Sequence, residues 1–177
     1  MSSQTVIPPF GGGHGPVVVP LSTLVRNAIQ TLITANTISI PEQEDPFDQA
    51  FDDFFSRNVK ATINGQHKSR EELRKFLLDI RASLSGETAQ FQQLIEHEDK
   101  DGSEQNGEVA TFFEWEGFRP FLVLGAPQAV KANVSLQASV RPEKGHGRVI
   151  TSVSVVAQEV PVPVKLPGHT VGPTDTA

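Results

Sequence analysis

The chain has no cysteine and no tyrosine, and only one methionine and one tryptophan among 177 residues. Without cysteine, disulfides, thiolate metal sites and cysteine nucleophiles are excluded. Without tyrosine, any acid–base chemistry loses a common proton donor. Bases are scarce: 15 lysines and arginines against 21 aspartates and glutamates leave a net charge of −6. Phosphate contacts need clustered Lys and Arg, so nucleic acid is not an expected partner. No apolar run approaches a membrane span, so no membrane is expected either. Met1 to Phe10 lacks the basic patch and apolar run of a secretory signal. Together with the missing cysteine, this points to a cytoplasmic protein. The length allows one domain with a sizeable core.

Glycine and proline gather at the two ends. Pro8-Pro9, Gly11-Gly12-Gly13, Gly15, Pro16 and Pro20 leave room for no regular element beyond a short Val17–Val19 strand. From Val160 onward, Pro161, Pro163, Pro167 and Pro173 recur with Gly168 and Gly172, as in an extended tail. The expected organisation is a Gly/Pro-rich arm over 1–20, a folded domain over 21–160 and a Pro-rich tail over 161–177. Charge is uneven: Glu42 to Glu116 holds 18 acids and 8 bases. Solvated helix faces and loops account for that most simply. Steering of a cationic ligand is the other reading.

Helical spacing comes first along the domain. Leu21, Leu24/Val25, Ala28/Ile29 and Leu32/Ile33 make one apolar face. Asp45-Pro46 sets a cap before Pro at the first helical position, and Phe47, Phe51, Phe54 and Phe55 form an aromatic face. Ser69-Arg70-Glu71-Glu72 is a capping box, followed by the stripe Leu73, Phe76, Leu77, Ile80 and Leu84, with Gly86 as the stop. A short strand over Val59–Ile63 leads into the turn dipeptide Asn64-Gly65.

After Gly86 the period becomes two. Phe91, Gln93, Ile95 and His97 alternate with Gln92, Leu94 and Glu96. Asp99 to Gly107 is a polar loop. Val109, Thr111, Phe113 and Trp115 alternate with Ala110, Phe112, Glu114 and Glu116. Val130, Ala132, Val134, Leu136, Ala138 and Val140 define the next strand. Glu143 to Gly147 turns the chain, and Val149, Thr151, Val153 and Val155 return. Long strands joined by hairpins predict an antiparallel sheet in an α+β domain, with helices on one face of a curved sheet.

Three stretches carry a family resemblance: Phe47-Asp48-Gln49-Ala50-Phe51, Val59-Lys60-Ala61-Thr62-Ile63-Asn64-Gly65-Gln66, and Ser69-Arg70-Glu71-Glu72-Leu73. With the order of elements, they resemble the nuclear transport factor two-like superfamily, and within it the SnoaL-like proteins found in fungi. The resemblance implies a cone: a strongly bent antiparallel sheet packed on about three N-terminal helices, a cystatin-like or SnoaL-like roll. A pocket would open between helices and sheet. Members include isomerases, dehydratases, cyclases and transport adaptors, so the fold does not choose the function.

Asp48 and Asp52, four apart, share one side of the second helix. A carboxyl held among phenylalanines can act as a general acid or base, but both could equally face water, with Asp48 favouring the helix N-terminus. His97, in a strand, could move a proton, though a strand-end histidine is more often exposed. Glu114 and Glu116 read as solvent-facing. Asp99-Lys100-Asp101-Gly102-Ser103 opens like a calcium loop, but Glu104 and Ala110 occupy positions that need Gly and a bidentate Glu. His14, His67, His146 and His169 lie in loops or tails with no metal spacing, so no metal or other cofactor is expected. The aromatics Phe47, Phe51, Phe55, Phe76, Phe91, Phe113 and Trp115 either fill the cone or line a pocket for a flat apolar molecule.

The strand over 130–140 turns Asn133, Ser135, Gln137 and Ser139 to its other face, and the returning strand adds Ile150, Ser152, Ser154 and Val156. Such a neutral, partly apolar surface predicts a homodimer through the outer sheet face. Two functions stand side by side. One is a non-catalytic protein that binds a small hydrophobic compound or serves as a dimeric interaction module. The other is a cofactor-independent isomerase, cyclase or dehydratase using Asp48, Asp52 or His97.

Overall fold

The computed structural model describes residues 19–34, 45–82, 89–99, 106–123 and 125–162. Most of the Gly/Pro-rich arm, the Gly86 helix stop, the middle of the 99–107 loop and the tail beyond Val162 lie outside those residues. Three helices, α1 (Leu21–Thr34), α2 (Pro46–Phe54) and α3 (Arg70–Ala82), accompany six strands. The strands are β1 (Phe55–Ile63), β2 (Gln66–Lys68), β3 (Gln90–Glu98), β4 (Gly107–Val123), β5 (Ala126–Glu143) and β6 (Gly147–Pro161). They form one sheet in the order β2-β1-β6-β5-β4-β3. No helix among the described residues is long and apolar enough to cross a membrane.

Local chemistry explains the helix starts. The Asp45 carboxylate accepts the Phe47 N–H at 2.9 Å, with Pro46 at the first helical position. At α3 the capping box closes reciprocally. Ser69 N–H donates to Glu72 Oε2 at 2.8 Å, and Glu72 N–H donates to Ser69 Oγ at 3.2 Å. Helix α1 has no local cap, and Glu96 on β3 supplies one by accepting the Ser22 N–H at 2.7 Å. Asn64 and Gly65 both take positive φ, 49° and 79°, which closes the β1–β2 hairpin tightly.

The sheet is antiparallel except at one seam, where β1 runs parallel to β6. The expected antiparallel sheet thus includes one parallel pair, because β1, separated from β6 in the chain by β2, α3 and three further strands, lies directly beside it. Strand β1 is also longer than the expected Val59–Ile63. It begins at Phe55, which leaves α2 with extended backbone and still buries its ring on the inner side.

Bulges in β3 and β6 reset the faces. In β3, Phe91 pairs with Phe113 and Gln93 with Phe112, so Gln92 is the extra residue. Phe91 and Leu94 consequently turn towards the core, while Ile95 is 64% exposed and does not share the face of Phe91. In β6, Ser152 pairs with Ser139 and Ile150 with Val140, with Thr151 extra and bonded through its hydroxyl to Ser139 O at 3.3 Å. Ile150 is therefore buried in the core instead of lying beside Ser152 and Ser154 on the outer face.

The core sits between the helices and the concave sheet face. Leu21, Val25, Ile29 and Leu32 of α1 meet Leu73 and Leu77 of α3 and the inward residues of β4, β5 and β6. Fully burying each such side chain contributes about 1.5–3 kcal/mol.

Candidate functional site

Helix α2 and strand β1 carry one aromatic column. Phe47 and Phe51 stack at 6.2 Å between centroids, and Phe51 and Phe55 at 4.9 Å. All three rings are buried. A second column runs along the sheet, with Phe91 against Phe113 at 5.1 Å and Phe113 against Trp115 at 6.5 Å. Guanidinium groups lie over three of these rings: Arg26 over Phe91, Arg70 over Phe51, and Arg74 and Arg81 over Phe47.

Asp48 and Asp52 hold those arginines. Asp48 accepts from Arg74 Nε and Asp52 from Arg70 Nη2, each at 2.6 Å, while Arg81 lies 3.7 Å from Asp45. The reversed order of partners sets α2 antiparallel to α3. The two aspartates thus project from the side of α2 that meets α3, not into an aromatic pocket.

His97 lies on the outer sheet face, exposed and paired in register with Glu108, whose carboxylate accepts from Ser139 Oγ at 2.9 Å. Arg141 joins this group through Glu108 and Asp99, at 3.5 and 3.3 Å. No group of His, Asp or Glu among the described residues has the geometry to hold a metal ion.

A cleft of about 380 Å³ opens beside Trp115, between α3 and the sheet. Helix α3 supplies Phe76, Asp79 and Ile80, which fall on one side at i, i+3 and i+4 spacing. The sheet supplies Trp115, Ala157 and Glu159. Trp115, Ala132 and Glu159 form one row across β4, β5 and β6, so Glu159 continues the inward face of Val153, Val155 and Ala157. Asn64 closes one end. Its N–H donates to Val155 O at 2.8 Å and its Oδ1 accepts from Ala157 N–H at 2.9 Å, so the side chain extends the parallel ladder by one rung.

Of the seven aromatics expected around a pocket, Phe76 and Trp115 line this cleft. Phe47, Phe51, Phe55 and Phe113 are packed into the core, and Phe91 is half-buried under Arg26. The lining residues Asn64, Asp79, Ile80, Ala157 and Glu159 were not foreseen. Period-two counting along β6 already put Glu159 inward, an acid where the pattern calls for an apolar residue.

On the convex face, Asn133, Ser135, Gln137 and Ser139 of β5 lie beside Ser152 and Ser154 of β6. Two uncharged rows cross this face: Ile95–Ala110–Gln137–Ser154 and Gln93–Phe112–Ser135–Val156. A depression of about 170 Å³ between Gln93, Ile95, Ala110, Phe112 and Ser135 dents it. Charges flank these rows among the described residues, Lys131 with Glu114 at 2.6 Å on one side, and Arg141 with Glu108 and Lys60 beside Ser152 on the other. The hydrogen bond from Lys131 holds the Glu114 carboxyl below its ordinary range, and the Glu114 carboxylate in turn raises Lys131.

No family model matches this sequence, nor does any curated protein. Solved structures do. A chain of the Mtr2–Mex67 M domain complex of Candida albicans is similar over 82% of this chain and 97% of its own, at 13% identity and a TM-score of 0.51. Hexachlorocyclohexane dehydrochlorinase LinA-type3 from Novosphingobium barchaimii matches over 86% and 99%, at 16% identity and a TM-score of 0.48. A ketosteroid isomerase-like protein from Erwinia carotovora atroseptica matches over 76% and 94%, at 10% identity and a TM-score of 0.44. At such identities the likeness concerns fold alone. With three helices on an open, six-stranded bent sheet, the chain has the α+β nuclear transport factor two-like cone fold.

Proposed function

We propose that this chain is a non-catalytic, SnoaL-like protein of fungal type that binds a small hydrophobic molecule in the cleft beside Trp115. The cleft itself carries the reading: about 380 Å³ walled by Trp115, Phe76 and Ile80, within the size range of small-molecule sites. Asp48, Asp52 and His97 are not among the residues that line it. That supports binding over proton transfer by those three groups.

Trp115 is the only tryptophan and there is no tyrosine, so energy transfer to a bound fluorophore has one defined donor, and a cleft-filling variant separates binding here from binding elsewhere on the chain. Titration with the neutral probe N-phenylnaphthylamine is expected to give saturable sensitised emission at one site per chain. Ala157→Phe, which fills the cleft from β6, is expected to abolish it. Saturation that survives Ala157→Phe, or no saturation in the parent chain, would sink the reading.

The outer face supports a second reading, a homodimer of such binding units. Val156, 58% exposed, stands in the same row as the depression beside Phe112. An isologous contact needs knob and hole on one surface, and a two-fold axis can seat the partner's Val156 in that depression. Light scattering at micromolar concentration is expected to give twice 19.2 kDa, and Gln137→Glu or Ser154→Lys to halve it. A parent mass of 19.2 kDa that neither charge changes would rule the dimer out.

A further inference from the structure

We propose that the cleft prefers an organic cation, an amine carried on a flat apolar body, over neutral or anionic molecules of the same shape. This rests on the reading of the cleft as a ligand site and adds the sign of the ligand's charge. The described lining residues include two acids and no base. Asp79 stands on α3 and Glu159 on β6, both exposed, on opposite sides of the opening. Both carboxylates already have partners within the protein. A carboxylate accepts about four hydrogen bonds, so an ammonium would join those partners without displacing them.

The protein's own packing supplies the precedent. At three places along α2 and α3 a guanidinium lies over a phenylalanine ring with a carboxylate beside it. Arg70 over Phe51 is held by Asp52, Arg74 over Phe47 by Asp48, and Arg81 over Phe47 stands beside Asp45. The cleft repeats two of these three parts, the rings of Trp115 and Phe76 and the carboxylates of Asp79 and Glu159. Among the described residues no guanidinium or ammonium lies over either ring. A bound ammonium supplies the third part, attracted by the ring quadrupole and by both carboxylates. A carboxylate ligand would instead meet two like charges at the entrance.

The test uses three small molecules that share a phenyl group: phenethylamine, phenethyl alcohol and phenylpropionate. Each is titrated into the full chain at neutral pH while Trp115 emission is followed. The amine is expected to bind about tenfold more tightly than the alcohol, with phenylpropionate weakest. The combined change Asp79→Asn and Glu159→Gln is expected to erase the amine's advantage, so that amine and alcohol bind the variant equally. Its thermal melt shows whether the fold is kept, and raised salt, expected to weaken only the amine, tests the same point in the parent chain. Equal affinities for amine and alcohol, or tightest binding of phenylpropionate, would overturn the cation preference while the cleft remains a ligand site. No response of Trp115 to any of the three would overturn both.

Discussion

At the start of α1, Pro20 has no amide hydrogen to give, and the Ser22 N–H has no carbonyl behind it within the helix. The Glu96 carboxylate, from a strand 74 residues later, meets that need. Hydrogen bonds from Ser22, from its side chain first and then its backbone, lower the Glu96 carboxyl from its ordinary value of 4.5. A lowered folded-state value means stability that is present above the unfolded value and lost as pH falls through the folded one. Glu96→Ala is expected to cost about 0.5–1 kcal/mol at neutral pH, the low half of the range for caps because the site is exposed. Urea unfolding of both proteins checks this: the gap should close as pH drops well below 4.5. A gap that is constant with pH would show that the charge contributes nothing. The contrast with Ser69 and Glu72 shows what a sequence makes legible. That capping box is three residues long and could be read directly, whereas the Ser22–Glu96 cap exists only once β3 has found α1.

The same divide holds for whole elements. Helices α1 and α3, strand β4 as far as Phe118 and the facing part of β5 follow their periods without interruption, so the buried faces there are those that the spacing indicates. Strands β3 and β6 each carry one extra residue, and from that point every side chain changes face. Nothing local marks Gln92 or Thr151 as bulged. Ile95 and Ile150 therefore exchanged the environments that alternation assigned them. Between α2 and α3, the Asp48/Asp52 and Arg70/Arg74 pairs are each one turn apart and matched in reverse order. The four-residue spacing that suggested a paired-carboxylate site is the spacing of a helix–helix ion-pair ladder. A double-mutant cycle on Asp48→Asn and Arg74→Gln is expected to give a coupling of about 0.5–1 kcal/mol that shrinks at high salt. Zero coupling at low salt would mean that the pair contributes nothing to holding α2 on α3.

In the molecule as a whole, the parallel seam between β1 and β6 joins the first long strand to the last and places Asn64 at one end of the cleft. Neither the seam nor the cleft could be read from spacing, because both depend on contacts between distant parts of the chain. The aromatics were legible as one large apolar set, but not how that set divides. Most of its rings pack into two columns, and Trp115, at the end of the second, walls an opening together with Phe76. The account's central claim is that a ligand enters that opening and not the packed interior or the convex face. Amide chemical-shift mapping of the isotope-labelled chain, titrated with N-phenylnaphthylamine, tests this most directly. The account predicts saturable shifts at Asn64, from Phe76 to Ile80, at Trp115 and from Ala157 to Glu159, with Phe47, Phe51, Ser135 and Gln137 unmoved. Shifts centred on Phe47, Phe51 and Phe55, or on the convex face, would contradict it.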